Sequence, residues 1–331
     1  MELVLKEIKD KISQKLALWP QVTLMTDDLK RYFDYYGFPL ADHIDIKTQA
    51  ISVKDYQIAV YRFRPSLNLN PNLNLNLNPS QSSQQPLRHV LIMHGYLDHV
   101  GVHSDLVKEL LTKNCQVTLY DMPGHGLSTG SNAEIDDFSR YIEVLNQVLS
   151  CLQQEQQLPD TIIAHSTGAA TLILGLLSQQ LPDVLAMKVA LIAPLVRIAS
   201  WYRVKLAYYL ARHWLKKVKL GKVNNSADKD FVDFLMNDPL RHGMMPVQWL
   251  EAAFHYEAGL KHYACCDKEL IIMQGRKDTT VAWRYNLRFL RDKFPYSRIY
   301  CLENAKHHVL YESTELRECA RNILYERLDL L

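Results

Sequence analysis

The chain carries almost no net charge. Its 331 residues set 38 Lys and Arg against 36 Asp and Glu, a formal balance of +2. That counts against a protein held to nucleic acid by a bulk basic field, so no nucleic-acid partner is expected. No Cys-x-x-Cys pair occurs among Cys115, Cys151, Cys265, Cys266, Cys301 and Cys319. Cys265 and Cys266 are adjacent, too close for an ordinary staple, and free thiols in a reducing compartment are expected. The longest uncharged runs all contain His, Ser, Thr, Gln or Pro, and none reads as a membrane span. The opening MELVLKEIKDKISQKLALW is charged throughout and lacks the apolar stretch of a secretory leader, so a cytoplasmic location is expected. There is no P-loop, no HExxH and no G-x-G-x-x-G after a strand. The 13 histidines show no metal-ligand spacing, so neither cofactor nor metal is expected.

What is present is an ordinary globular mixture, 48% hydrophobic and 22% charged, enough for a large buried core. Residues 1–45 read as a helical segment: Leu3, Leu5, Ile8, Ile12 and Leu16 recur at helical spacing, and Thr26-Asp27-Asp28 offers an N-cap and an acidic first turn for a second helix. Two strand-like runs follow at 48–53 and 56–63. Residues 66–86, SLNLNPNLNLNLNPSQSSQQP, are low in complexity; Asn disfavours strands and Pro interrupts pairing, so a long surface connection is expected.

From there the chain alternates. Apolar strand-like runs at 89–93, 116–120, 161–164, 189–193, 270–274 and 298–302 are interleaved with helical patterns at 104–113, 136–153, 167–180, 281–293 and 314–328. Repeated β-then-α predicts an α/β fold with a mostly parallel central sheet flanked by helices. Residues 46–194 and 269–331 are assigned to that core. The stretch 195–268 is mostly helical in pattern and too long for one crossover, so it is predicted to be an inserted helical cap.

The sharpest local signal is Ile162-Ile163-Ala164-His165-Ser166-Thr167-Gly168-Ala169-Ala170. A strand ends, one Ser intervenes, and a helix of small residues begins, the setting of a nucleophile elbow. Alone, the same Ser could simply cap the helix. His94-Gly95-Tyr96 follows an apolar strand, where a tight turn can aim a backbone N–H at a developing oxyanion; a second N–H would come from Thr167 at a helix N-terminus. The Gly- and Pro-rich loop 121–128 reads as scaffold, with His125 not a catalytic base. Asp278 ends a strand-to-loop segment, and His307 and His308 lie in the loop after the last strand. A nucleophilic Ser needs such a base and an acid to orient it, and Ser, Asp, His is the α/β-hydrolase order. Neighbouring loop residues point different ways, so only one of the two histidines can serve.

In these motifs the chain resembles the α/β-hydrolase group of monoacylglycerol lipases, lysophospholipase L2 and serine aminopeptidases S33. In that group HG-plus-aromatic, D-x-P-GHG-x-S, GHSxGG, G-x-x-D and A-K/R-H-x-x-x-x-E occur in this order, and here they span roughly 88–329. The resemblance implies Ser166 as nucleophile, Asp278 as acid and His307 as base, since Ala305-Lys306 precede His307 and Glu312 follows at the group's spacing. It implies the N–H groups of Tyr96 and Thr167 as oxyanion donors, and a carboxylic ester with an apolar tail, monoacylglycerol- or lysophospholipid-like, as substrate. Ala164 and Ala169 depart from the group's glycines. An aminopeptidase of the same group and a non-catalytic binding scaffold are the alternatives.

The cap bears on substrate. Residues 201–219 read as an amphipathic helix with Leu206, Leu210, Trp214 and Val218 on one stripe and Lys205, Arg212, Lys216 and Lys219 on another. Such a helix packs on the core with a solvated basic face, lies peripherally on an anionic inner membrane surface, or meets a protein partner. His94, Trp214, Met245 and Trp249 are candidates for the pocket wall.

Overall fold

The computed structural model describes residue 7 and residues 26–40, 43–66, 87–221 and 224–331. In chain order the elements are α1 (Asp27–Tyr36), β1 (Ile44–Val53), β2 (Tyr56–Pro65), β3 (Arg88–Met93), α2 (Ser104–Thr112), β4 (Cys115–Tyr120), α3 (Ser139–Gln154), β5 (Thr161–His165), α4 (Thr167–Leu177), β6 (Lys188–Ile192), α5 (Trp201–Ala211), β7 (Lys217–Lys219), α6 (Lys229–Asn237), β8 (Met244–Pro246), α7 (Val247–Leu260), β9 (Ile271–Gly275), α8 (Trp283–Lys293), β10 (Arg298–Leu302) and α9 (Thr314–Leu328). The helix expected around Leu3–Leu16 and the low-complexity connection lie outside the described residues. α1 begins where the sequence predicts: Thr26 Oγ1 accepts the Leu29 N–H, and Gly37, at φ 70°, closes the helix in the left-handed conformation.

Eight strands form one sheet in the order β1-β2-β4-β3-β5-β6-β9-β10. β1 and β2 form an antiparallel hairpin, and β2 meets β4 antiparallel. From β4 to β10 every pairing is parallel. The side-chain period of two then sorts the apolar runs onto two faces. Leu91, Met93, Ile162, Ala164, Val189, Leu191 and Ile272 enter a core with α3, α4 and α8. Val90, Ile92, Ile163, Ala190, Ile192, Ile271 and Met273 enter a second core with α1, α2 and α9. Both faces are covered, as an apolar parallel strand requires. The loops after β3, β5, β9 and β10 open at the same, carboxyl edge of the parallel strands.

The cap between β6 and β9 corrects one expectation. The helix predicted over 201–219 stops at Ala211; Lys217–Lys219 instead pairs antiparallel with Met244–Pro246 in a two-stranded ribbon. The buried face is set by aromatic anchors. Trp201 and Tyr208 pack edge-on against Phe254 of α7, with ring centroids 4.9 and 5.2 Å apart, and Val204 lies between them on the same face. The aliphatic stripe through Leu206 and Leu210 consequently faces outward. Spacing alone cannot tell which of two apolar faces finds a partner.

Candidate active site

β5 ends at His165 and α4 begins at Thr167, so Ser166 alone makes the turn. Its φ of 50° and ψ of −106° are uncommon for a residue with a side chain. Such a conformation costs on the order of 1–3 kcal/mol and persists where its surroundings over-determine it. Three backbone bonds do so. The Ser166 N–H donates to the Ile192 carbonyl at 2.9 Å, and the Ser166 carbonyl accepts from Ala170 at 3.0 Å and Leu195 at 3.3 Å. Gly168 has no room for a side chain: a Cβ there would stand 2.8 Å from the His94 carbonyl oxygen. Ala164 and Ala169 are fully buried within the first core, so the turn forms with methyl groups where the family pattern has hydrogens.

Asp278 follows β9 and His307 follows β10. His307 Nδ1 lies 2.8 Å from Asp278 Oδ2, both residues nearly closed to solvent. The carboxylate is fixed from several sides. Oδ1 accepts the N–H groups of Thr280 at 2.7 Å and Val281 at 3.1 Å, and Oδ2 also accepts from Gln274 Nε2 at 2.9 Å. Burial works against its charge, but the facing His307 and these donors outweigh it and hold the carboxyl below its usual range. With Asp278 accepting at Nδ1–H, the lone pair of His307 falls on Nε2. The loop carrying His307 is itself anchored: buried Glu312 accepts the Lys306 N–H at 2.5 Å and the Ala227 N–H of the cap at 2.6 Å. His307 also meets the elbow, because His165 Nε2 reaches its carbonyl oxygen at 3.3 Å and the two rings stand 4.8 Å apart.

His308 points elsewhere. Its ring packs edge-on to Phe231 of the cap at 5.1 Å, and its Nε2 is 4.0 Å from Asp98. The two adjacent histidines therefore have different surroundings, and only His307 meets Asp278.

On the other side of the elbow, Tyr96 lies in the turn after β3, the strand beside β5. Its ring stacks on Trp249 at 4.0 Å and its hydroxyl donates to the Ala133 carbonyl at 2.9 Å, which fixes the local backbone. Thr167 is the first residue of α4, so its N–H has no acceptor within the helix. His94 is a brace rather than a pocket wall: its Nε2 accepts the Met122 N–H at 2.9 Å and its Nδ1–H donates to the Gly95 carbonyl at 2.8 Å. Trp214 is 81% exposed and does not line a pocket among the described residues, because it continues the stripe of Leu206 and Leu210, which faces outward. Met245 is half-buried at the edge of the first core, and Trp249 is buried against Tyr96.

The loop after β4 is held together by Asp121. Its carboxylate accepts the N–H groups of Val100 and Leu127 and the Tyr61 hydroxyl, all within 2.9 Å. His125 Nδ1 turns back to the Pro123 carbonyl at 2.9 Å, and burial pushes its pKa down to about 3. Sequence reasoning did not single out Gln274, whose amide steadies Asp278, nor Asp98, which lies between His165 and His308. No local motif marks either residue.

Comparison with known proteins identifies the family and the fold. The family model described as serine aminopeptidase, S33 matches residues 84–314. A monoglyceride lipase homolog of monkeypox virus is 25% identical over 240 residues, 70% of this chain and 86% of its own. A crystal structure of a Paleococcus ferrophilus monoacylglycerol lipase superposes with a TM-score of 0.61 at 20% identity, covering 73% of this chain and 95% of that one. A soluble variant of the Saccharomyces cerevisiae monoglyceride lipase, in complex with a substrate analog, gives a TM-score of 0.64 at 17% identity and covers 85% and 95%. At these identities the solved structures share the fold.

Proposed function

We propose, on the premise that the chain belongs to the serine aminopeptidase S33 family of α/β-hydrolases, that it cleaves carboxylic esters with an apolar acyl chain, of the monoacylglycerol or lysophospholipid kind. Ser166 attacks the acyl carbonyl while His307 Nε2 takes its proton. Asp278 holds the tautomer and stabilises the imidazolium. The N–H groups of Tyr96 and Thr167 receive the oxyanion, the second at a helix N-terminus where negative charge is favoured. His307 then protonates the leaving alcohol, and water repeats the cycle on the acyl-enzyme.

The observation that carries this reading is the 2.8 Å Asp278–His307 bond beside a serine in an elbow conformation. The names of the relatives above favour an ester. So does the long basic stretch of the cap, which holds no Asp or Glu from Val184 to Ala227 and argues against capture of a substrate ammonium, although Asp233 and Glu251 are also present. Glu257 is taken by Arg197 at 2.6 Å and by Lys261 at 3.2 Å, and Asp238 by His99 at 2.7 Å. The test is fluorophosphonate labelling followed by p-nitrophenyl esters of graded chain length beside aminoacyl p-nitroanilides. Labelling at Ser166 with turnover of esters is expected. Turnover of the anilides alone would make the chain an aminopeptidase, and no labelling would make it a binding scaffold.

The outer face of α5 and the turn after it present Tyr202, Leu206, Leu210 and Trp214, all more than half exposed, among exposed Arg203, Arg212, Lys216 and Lys217. Among the described residues no helix is long and apolar enough to cross a membrane. The proposal extends to this face: it rests peripherally on an anionic lipid surface, with rings and aliphatic chains in the interface and cations among the headgroups.

A further inference from the structure

Asp98, His165 and His308 come from three distant parts of the chain: the turn after β3, the last residue of β5, and the loop after β10. All three are buried, and one potential ligand atom from each lies within 4.8 Å of the others. Asp98 Oδ2 is 3.4 Å from His165 Nδ1, and Asp98 Oδ1 is 4.0 Å from His308 Nε2.

The hydrogen bonding of this group is incomplete in a specific way. His165 Nε2 faces the His307 carbonyl, which only accepts, so Nε2 carries the proton. In a neutral imidazole that leaves a lone pair on Nδ1, which stands 3.4 Å from Asp98 Oδ2 and makes no well-formed hydrogen bond among the described residues. That lone pair faces the carboxylate of Asp98. Two acceptors 3.4 Å apart in a buried site repel unless something positive lies between them.

A divalent metal fits the same gap. Two imidazole nitrogens and one carboxylate form a common zinc donor set, at about 2.0–2.2 Å from the ion; tetrahedral geometry then sets ligand atoms about 3.4 Å apart. His165 and Asp98 already have that spacing; His308 Nε2 stands 4.0 Å from the other Asp98 oxygen, and the three ligand atoms, all within 4.8 Å of one another, would close by up to about 1.4 Å around an ion. The His165 Nε2–H bond to a backbone carbonyl is the outer-shell contact that metal-bound histidines usually make. A small cavity of about 10 Å³ abuts His103, His165 and His308, close to the room one water needs as a fourth ligand.

We propose that Asp98, His165 and His308 form a Zn²⁺ site that regulates the adjacent catalytic centre. The inhibitory part of this proposal rests on the serine-hydrolase reading above. His165 precedes Ser166 and its ring is 4.8 Å from that of His307. A dication held there raises the energy of the His307 imidazolium that must form during acyl transfer, so zinc slows hydrolysis without entering the reaction.

The test uses the full chain, freed of metal by a chelator, with ZnCl₂ as the probe. Calorimetric titration is expected to show one zinc bound per chain in a His308-dependent manner. His308→Gln, which keeps most of the side-chain volume, and Asp98→Asn should each bind at least about tenfold more weakly, as loss of a ligand does no less than loss of its outer-shell partner. Zinc should raise the melting temperature of the parent chain and not that of His308→Gln, whose fold is checked by its circular dichroism. Zinc should also slow p-nitrophenyl butyrate hydrolysis by the parent and spare that of His308→Gln. Equal zinc affinity in parent and both folded variants, or no stoichiometric binding, overturns the site. Zinc binding without inhibition overturns the regulatory step. Fluorophosphonate labelling in parallel separates these failures from failure of the hydrolase reading, because labelling needs Ser166 and not zinc.

Discussion

The α-carbon of Gly275, the last residue of β9, abuts the carbonyl oxygen of Lys306, so the strand that leads to Asp278 and the loop that presents His307 touch backbone to backbone. No side chain fits between them. Gly275→Ala should therefore destabilise the protein by about 1–3 kcal/mol, as overpacking does. It should lower kcat by roughly 10²-fold, because it displaces the His307 loop by about an ångström. Denaturant melts and ester turnover check both; unchanged kcat in a folded variant would separate this contact from catalysis.

Ser166→Ala should leave the melting temperature close to that of the parent while removing ester hydrolysis, by on the order of 10⁴–10⁶ in kcat. Near-normal turnover by the purified variant would refute the mechanism.

The two adjacent histidines should behave differently. His307→Ala should be as damaging as the Ser166 change. His308→Ala, which removes a ring facing Phe231 and Asp98 instead of Asp278, should keep turnover within about tenfold of the parent. Measured kcat/KM values on one short soluble ester decide it. A dead His308 variant beside an active His307 variant would reverse the assignment.

Acid should weaken the fold through His89. Its Nε2 meets Thr118 Oγ1 at 2.7 Å, and burial followed by the nearby Arg62 lowers its pKa from 6.5 to about 4. The unfolded chain thus takes up this proton at higher pH than the folded one. Stability is lost as pH falls from about 6.5 to about 4 and this contribution levels off below, a loss on the order of 3 kcal/mol. In His89→Gln the slope of stability against pH across that window should be shallower by about one proton. Parallel slopes in the two proteins would refute the prediction.

Vesicles test the cap. Binding to anionic vesicles is expected, falling steeply by about 0.5 M salt as screening shortens to a few ångströms. Charge reversal at Lys216, Lys217 and Lys219 should weaken it and leave hydrolysis of a short soluble ester unchanged. Equal binding to neutral and anionic vesicles, or to neither, would make this an ordinary solvated surface.

Much of the core was legible because its signals are local. β10 and α9 occupy the ranges that their patterns predict, and strand, Ser166 and small-residue helix occur in one continuous run. The pairing of Asp278 with a loop histidine was readable as an order of residues, but the choice of His307 needed the resemblance. Three-dimensional contact supplies a second ground for it, in the different neighbours of the two rings. The remainder depended on contacts that leave no local trace. Val218 belongs to a three-residue ribbon strand because Met245 lies opposite it, not because of its own spacing. The outward turn of Leu206 and Leu210 follows from where Phe254 sits, more than forty positions later. Asp98, His165 and His308 share no regular spacing, so no metal-ligand pattern marks them in the sequence.

The links between the cap and the His307 loop bear on how this protein can be rebuilt. Ala227 donates to Glu312, Ser226 Oγ donates to the Tyr311 carbonyl, Lys306 Nζ reaches the Ser226 carbonyl, and the His308 N–H donates to the Asn225 carbonyl. Residues 224–228 are in effect part of the wall that holds His307, although by position they belong to the insertion. A chimaera that exchanges everything between β6 and β9 would remove that wall along with the lid. An exchange that stops at Gly221 would leave it standing, so the cap has one replaceable half and one that must be inherited with the catalytic domain.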